Sequence, residues 1–328
     1  MFIKKLLLFG LTTLLYSEGY INSIDMHFVK IKEGNFTMGT SFRLCPKDDP
    51  FSEKNEYQEC IDNIPENQTP ATEQSVKSFY MATTEVTQLQ YYKVMGENPA
   101  YFKKEKLGHD SRHNPIENIS WNDAKKFIEK LNKMENTDAY YLPSEIEWEY
   151  AARAGSNEKW CFGNQKKNLK HYAWYYGNAV DTNMLLATLF LGILKLDDKN
   201  NMENEILNLS KTHLVAKKKP NRWGLYDMYG NVWEWTSSCY RETYNKPCQI
   251  IDKKELKSLR GGSIVNDADG VTSASRVGAS PSDCYAEIGF RVASRLLSVE
   301  ELKKIKEEMS VVLSKSTPYQ IHGTFKVH

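Results

Sequence analysis

Charge of one sign is what this 328-residue sequence lacks first: Lys and Arg total 43 against 42 Asp and Glu, a formal net charge of +1. No global basic field exists to attract nucleic acid, so a nucleic-acid partner is not expected. Apolar runs are short as well. Leu6 to Tyr16, broken only by Gly10, Thr12 and Thr13, is too short to cross a bilayer as a mature helix. Behind Lys4 and Lys5, and ahead of the small residues Ser17 and Gly19, it suits a secretory signal peptide at residues 1–19, cut before Tyr20. An uncleaved N-terminal anchor is the alternative. Export fits better, leaving a periplasmic or secreted chain with no stable membrane span.

No two cysteines form a C-x-x-C pair, which removes the zinc ribbon and the thioredoxin-type redox motif. In an oxidising compartment the even set of Cys45, Cys60, Cys161, Cys239, Cys248 and Cys284 reads instead as structural disulfides. Sequence does not choose among the pairings. Proximity favours Cys45–Cys60 and Cys239–Cys248, each closing a polar loop, with Cys161 and Cys284 left over.

Long periodic segments are also missing, but apolar residues still make up 41 % of the chain, enough for a sizeable core. Phe28 to Ile31 and Gly34 to Gly39 read as two short strands joined by a turn, and residues 40–70 as a long polar loop. Three helices show through their caps. Thr87 with Gln90 precedes an apolar stripe of Leu89, Tyr92 and Met95; Ser120 with Asp123 precedes Trp121, Ala124, Phe127, Ile128 and Leu131. Ser144 with Glu147 opens a third helix, for which Gly155 is well placed as the stop. Met184 to Leu194, apolar on all sides, reads as a buried insertion helix within 181–212. Residues 298–328 read as a capped C-terminal helix and a tail. Short elements separated by Gly, Asn and aromatics predict an irregular α+β domain rather than a doubly wound sheet.

Several motifs then fall in a fixed order. They are Phe36-Thr37-Met38-Gly39, Glu85-Val86-Thr87, Ile119 to Ala124, Leu142 to Arg153, Asn221 to Thr236, Arg260-Gly261-Gly262-Ser263 and Gly289-Phe290-Arg291-Val292-Ala293. In this order the chain resembles the formylglycine-generating-enzyme, or sulfatase-modifying-factor, superfamily over residues 28–295. The resemblance implies a C-type-lectin-like α+β fold with little regular secondary structure. Trp148, Trp223, Trp233 and Trp235 supply large apolar area, and Glu145, Glu149 and Arg153, four apart on one helix, can pair there or tie loops to it.

In that family the oxidase uses copper held by two cysteines placed shortly after the Gly-Gly-Ser turn, because Cu(I) prefers soft thiolates. Residues 264–276 contain no cysteine at all. Counted forward from Gly-Gly-Ser, Asn266 and Val271 replace the pair; counted back from Gly-Phe-Arg, the stretch is about three residues short of the family's. No copper is expected, nor conversion of cysteine to formylglycine. A calcium-loop reading of Asn266, Asp267 and Asp269 fails, since Val265 and Arg276 occupy its first and last ligand positions. His109 and His113 have Pro115 close behind and no acid two residues after His113, so they read as loop residues.

The family also binds calcium, and the resemblance carries one site onto Asp227 and Glu234 through carboxylates and onto Gly230 and Val232 through backbone carbonyls. Hard oxygen ligands from one tight segment suit Ca²⁺. Alternatively, the two carboxylates satisfy neighbouring N–H groups. The family's other calcium site would fall near Asn178 and the insertion, where the resemblance breaks down. Two functions are therefore expected. One is a binding or accessory module taking a protein or small-molecule ligand in the family cleft. The other is an enzyme with different chemistry there, metal-dependent or oxidative tailoring. Its candidate residues are Asn266, Asp267, Asp269, Ser273, Ser275 and Arg276, none of which supplies a redox centre.

Overall fold

The computed structural model describes residues 19–41, 63–180 and 209–305. Most of the expected leader, Cys45 and Cys60, the run Met184–Leu194 and the tail lie outside these residues. Gly19, the residue before the expected cut, is the first of strand β1.

One sheet organises the molecule. Strands β1 (Gly19–Ile21), β2 (His27–Ile31), β5 (Phe79–Ala82), β13 (Ala293–Ser294) and β6 (Tyr140–Tyr141) lie side by side in that order, every pair antiparallel. Alternation along β2 and β5 sends Phe28, Tyr80 and Ala82 to one face and Val29, Ile31, Phe79 and Met81 to the other. Each face carries its own core. That is why β5 is buried at every position and reads as an unbroken apolar run. Tyr20, Ile24 and Met26 join the first core, so the packed domain takes in residues ahead of position 28.

On the first face lie α1 (Gln88–Met95) and α3 (Trp121–Met134), with the short α2 (Lys104–Leu107) between them in sequence. Ala124, Phe127, Ile128 and Leu131 recur at helical spacing and are all buried. At about 1.5–3 kcal/mol for each of the larger three, that stripe anchors the helix. Both helices open with the expected capping boxes. The stripe expected on α1 is corrected: Gln88 and Tyr91 are buried, whereas Tyr92 is exposed. Gln88 can go inside because its amide is satisfied, donating to the Phe102 carbonyl at 3.0 Å and accepting from Asn98 and Ser111 at 3.1 and 3.0 Å. Residues 299–305 are helical behind a Ser298–Glu301 capping box, and Leu302 and Ile305 pack on this core.

The second face holds α4 (Glu145–Arg153), which also begins with its capping box and ends at Ala154 in the left-handed region, one residue before Gly155. The antiparallel pair of β3 (Gly34–Met38) and β4 (Thr72–Val76) packs against it. A second sheet, β11 (Arg276–Ala279), β10 (Lys257–Arg260), β7 (Trp233–Cys239) and β12 (Ile288–Phe290), is antiparallel except for the parallel pairing of β12 with β7. β8 (Ile250–Ile251) and β9 (Lys254–Glu255) form a small exposed hairpin. The expected Cys239–Cys248 disulfide closes the loop before it, with Cα atoms 5.6 Å apart; Cys161 and Cys284 are unbridged. After the short helix α5 (Tyr176–Ala179), the inserted segment leaves at Val180 and returns at Ser210. These two residues form an antiparallel bridge.

Candidate functional site

The cleft expected from the sequence is built around the connection from β10 to β11, residues 261–275. Gly261 and Gly262 both have positive φ, and a Cβ on Gly262 would lie 2.5 Å from the Val271 side chain. The turn therefore lets the loop close on itself. Asn266 Oδ1 accepts from the Ser263 backbone N–H and hydroxyl at 2.9 and 3.1 Å. Asp267 Oδ1 accepts from the N–H groups of Asp269 and Gly270 at 3.1 and 2.8 Å. Val271 is fully buried, its carbonyl taking the Trp160 indole N–H at 2.7 Å. Asn266 and Val271, which the count forward from Gly-Gly-Ser sets at the copper-cysteine positions, are thus a turn-making amide and a core valine.

Ser273, Ser275 and Arg276 are buried too. The Ser273 hydroxyl meets the Tyr229 hydroxyl at 3.1 Å, and Ser275 Oγ accepts from the Thr272 N–H at 3.0 Å. Arg276 donates to Glu145 at 2.6 and 3.1 Å and to the carbonyls of Asn67 and Arg241, both at 2.7 Å. Beside it, Arg260 donates to Glu149 and to the carbonyls of Ser273 and Ala274. Glu149 also takes the Arg153 guanidinium at 2.8 Å and the Gly39 N–H at 2.7 Å. Burial alone would raise the Glu149 carboxyl; Arg153 and Arg260 outweigh it and the pKa is lowered. Helix, loop and the start of β11 are thereby locked together by charge-assisted hydrogen bonds.

A cavity of about 570 Å³ opens beside this lattice, lined by residues that include Gln68, Arg153, Lys159, Asp269 and Thr272. Of the six cleft candidates only Asp269 reaches it. Asp269 is bridged by Lys159 and Lys166 at 2.6 and 3.0 Å. Its pKa is lowered, the hydrogen bonds from the two lysines outweighing the opposing effect of burial. Gln68 and Lys159 belong to none of the quoted motifs, and Arg153 was visible only as a helix residue. Neither unbridged thiol supplies what the loop lacks. Cys161 packs in the same core cluster as Ala268 and Val271, and burial pushes its thiol up to about 11. Cys284 is exposed on the 280–287 loop, which hydrogen-bonds to Asn118 and Asn122 instead.

Of the residues expected to hold calcium, Glu234 lies in β7 and Asp227 in the loop before it. Asp227 and Glu234 are buried, and so is Glu85, which the sequence did not mark as a ligand. Glu234 accepts from Arg291 at 2.7–3.2 Å and from the Trp148 indole at 2.7 Å. Asp227 Oδ2 accepts from the Ala216 N–H at 2.7 Å. Asp227 Oδ1 and both Glu85 oxygens have no hydrogen-bond partner among the described residues. Three carboxylates therefore face one guanidinium. Burial, then the Asp227 charge, raises Glu85 well above the usual carboxylate range, and burial raises Asp227 to about 6. Their oxygens are hard donors of the type a divalent cation takes, although among the described residues the three carboxylates do not all come within 4.8 Å of one another. Glu234 fits least well, since Arg291 and Trp148 already hold it. His109 and His113 lie in the loop after α2, outside any helix.

Residues 22–296 match the sulfatase-modifying factor enzyme 1-like domain. The chain is similar to the inactive C-alpha-formylglycine-generating enzyme 2 of Bos taurus, 32% identical over 185 residues, 55% of this chain and 50% of that protein. It is similar also to the chaperone protein LppX of Paenibacillus barcinonensis, 29% identical over 199 residues, 50% of this chain and 64% of that one. The chain thus spans from half to under two thirds of these relatives' own length. Among solved structures, Treponema denticola variable protein 1 superimposes with a TM-score of 0.62 at 25% identity, covering 85% of this chain and 99% of that one. The chain belongs to the formylglycine-generating-enzyme, or sulfatase-modifying-factor, family.

Proposed function

We propose that this chain is an exported, non-oxidising member of the family that binds a ligand in the cavity beside residues 266–276. The observation that carries the proposal is the commitment of Asn266 and Val271 to the loop's own structure, with no thiolate at hand. Cu(I) has no soft ligand there, and Asn, Asp and Ser do not replace one. Relatives named as inactive and as a chaperone accord with a binding role. The Cys239–Cys248 disulfide accords with an oxidising, periplasmic or extracellular setting. Different chemistry in the same cleft is less well supported: Ser273, Ser275 and Arg276 are buried and bonded, and Asp269 is already ion-paired.

The test incubates copper-loaded protein with a Cys-x-Pro-x-Arg peptide under oxygen. No aldehyde is expected by mass spectrometry beside an active control enzyme, and product that vanishes in Cys161→Ser would overturn the proposal. A calcium ion is also proposed, held by Asp227 and the backbone carbonyls of Gly230 and Val232, with Glu234 beside Arg291 and Glu85 balancing its charge. It would supply cross-linking of the 227–234 segment and no reaction chemistry. Chelation is expected to lower the melting midpoint by several degrees; an unchanged midpoint removes the ion from the account.

A further inference from the structure

In a chain of net charge +1, the fold gathers one group of lysines outside the cleft. Neither the stretch from Lys166 to Val180 nor that from Leu209 to Tyr226 contains an Asp or Glu. The fold brings the two together: the Lys219 N–H donates to the His171 carbonyl, and Lys218 Nζ donates to the Lys170 carbonyl, both at 2.8 Å. Between them lies a concavity of about 530 Å³ whose wall includes Lys170, His171, Lys217, Lys218, Lys219 and Tyr226, and no acidic residue. Among the described residues, none of Lys170, Lys217 and Lys219 has a carboxylate within 4.0 Å, whereas Lys166 at the edge is paired with Asp269. Lys218 is fixed in place, its ammonium 3.6 Å from the centre of the Trp174 ring. Asp227 lies beneath, buried, with one carboxylate oxygen already bonded to the Ala216 N–H.

We propose that this concavity binds a short soluble polyanion bearing several phosphate or sulfate groups. Ammonium groups on flexible stems suit such groups as point charges, and gathering them in a depression focuses the field where the ligand sits. The volume falls in the range of small-ligand pockets, enough for a few linked anionic groups. A bilayer is the poorer partner. Among the described residues, none of the large exposed hydrophobic ones lies in either stretch to enter an acyl boundary. The site is separate from the cavity beside Asp269 and does not depend on the function proposed for it.

The experiment is calorimetric titration of the intact protein with sodium tripolyphosphate and, separately, with a fully sulfated tetrasaccharide, at low and at raised salt. Binding of at least one is expected, weakening roughly tenfold or more as salt rises. Phosphate alone, sulfate alone or both then identifies the source. The Lys170→Gln, Lys217→Gln, Lys219→Gln triple variant is expected to lose at least about tenfold in affinity with its melting midpoint unchanged, because these side chains are exposed. A second triple variant, Lys125→Gln, Lys130→Gln, Lys133→Gln on α3, controls for general loss of charge and is expected to bind as the parent does. No binding of either anion at low salt overturns the proposal. So does binding that survives the first triple variant, or binding only to phosphatidylglycerol vesicles.

Discussion

Gly230 shows how little room the 227–234 segment leaves for chemistry other than its own. A Cβ at this position would sit 1.9 Å from the Trp174 carbonyl oxygen, and φ is 81°. Gly230→Ala is therefore expected to lose at least about 3 kcal/mol in urea unfolding, and a loss under about 0.5 kcal/mol would mean the close approach is absent. Glu117 gives a second prediction at this scale. It is buried, accepts from the N–H groups of Tyr101 and Phe102 at 2.9 Å each, and burial raises its pKa to about 7. A carboxyl whose folded pKa exceeds its unfolded value adds stability below the unfolded value, and that stability is lost as pH rises through the folded one. Between pH 5 and 8 the parent should thus lose on the order of 2–3 kcal/mol that Glu117→Gln does not lose. Parallel pH profiles for the two proteins would count against the buried acid.

Helix α4 concentrates the scaffold's charges. Its Glu149 is gripped by Arg153 on the next turn and by Arg260 from β10. Removing one partner of a buried pair leaves the others uncompensated, so Glu149→Gln is expected to cost about 3–5 kcal/mol at neutral pH, read from chemical unfolding. Because the Glu149 pKa is lowered, its contribution is present above the unfolded carboxyl value and disappears as pH falls through the folded one. The variant should accordingly show a shallower loss of stability in acid than the parent, and an equal or steeper loss would contradict the pairing. At this scale much was legible. Ser120–Asp123, Ser144–Glu147 and the stripe on α3 are local signals, and the structure has them all. Tyr91 inside and Tyr92 outside on α1 were not, because Gln88 is buried by partners at positions 98, 102 and 111. The pairing of Arg276 with Glu145 spans 131 residues and leaves no periodic trace.

For the whole molecule, the ordered motifs made the family and the α+β class readable, since each is a stretch whose residues pack or turn locally. The cavity was not readable. Gln68, Arg153, Lys159 and Asp269 come from separate parts of the chain and meet only after folding. The unpartnered carboxylate of Glu85 was missed for a related reason: its solitude is a property of the core around it. The bridge between Val180 and Ser210 bears on how this domain tolerates change. Two chain ends held in register make a natural splice point, where a segment can be exchanged as a cassette without retuning the rest. Replacing residues 181–208 by a short Gly-Ser linker is expected to leave a single cooperative melting transition, since the bridge already holds the two ends of the segment together. Loss of cooperative melting in that variant would instead make the insertion part of the core.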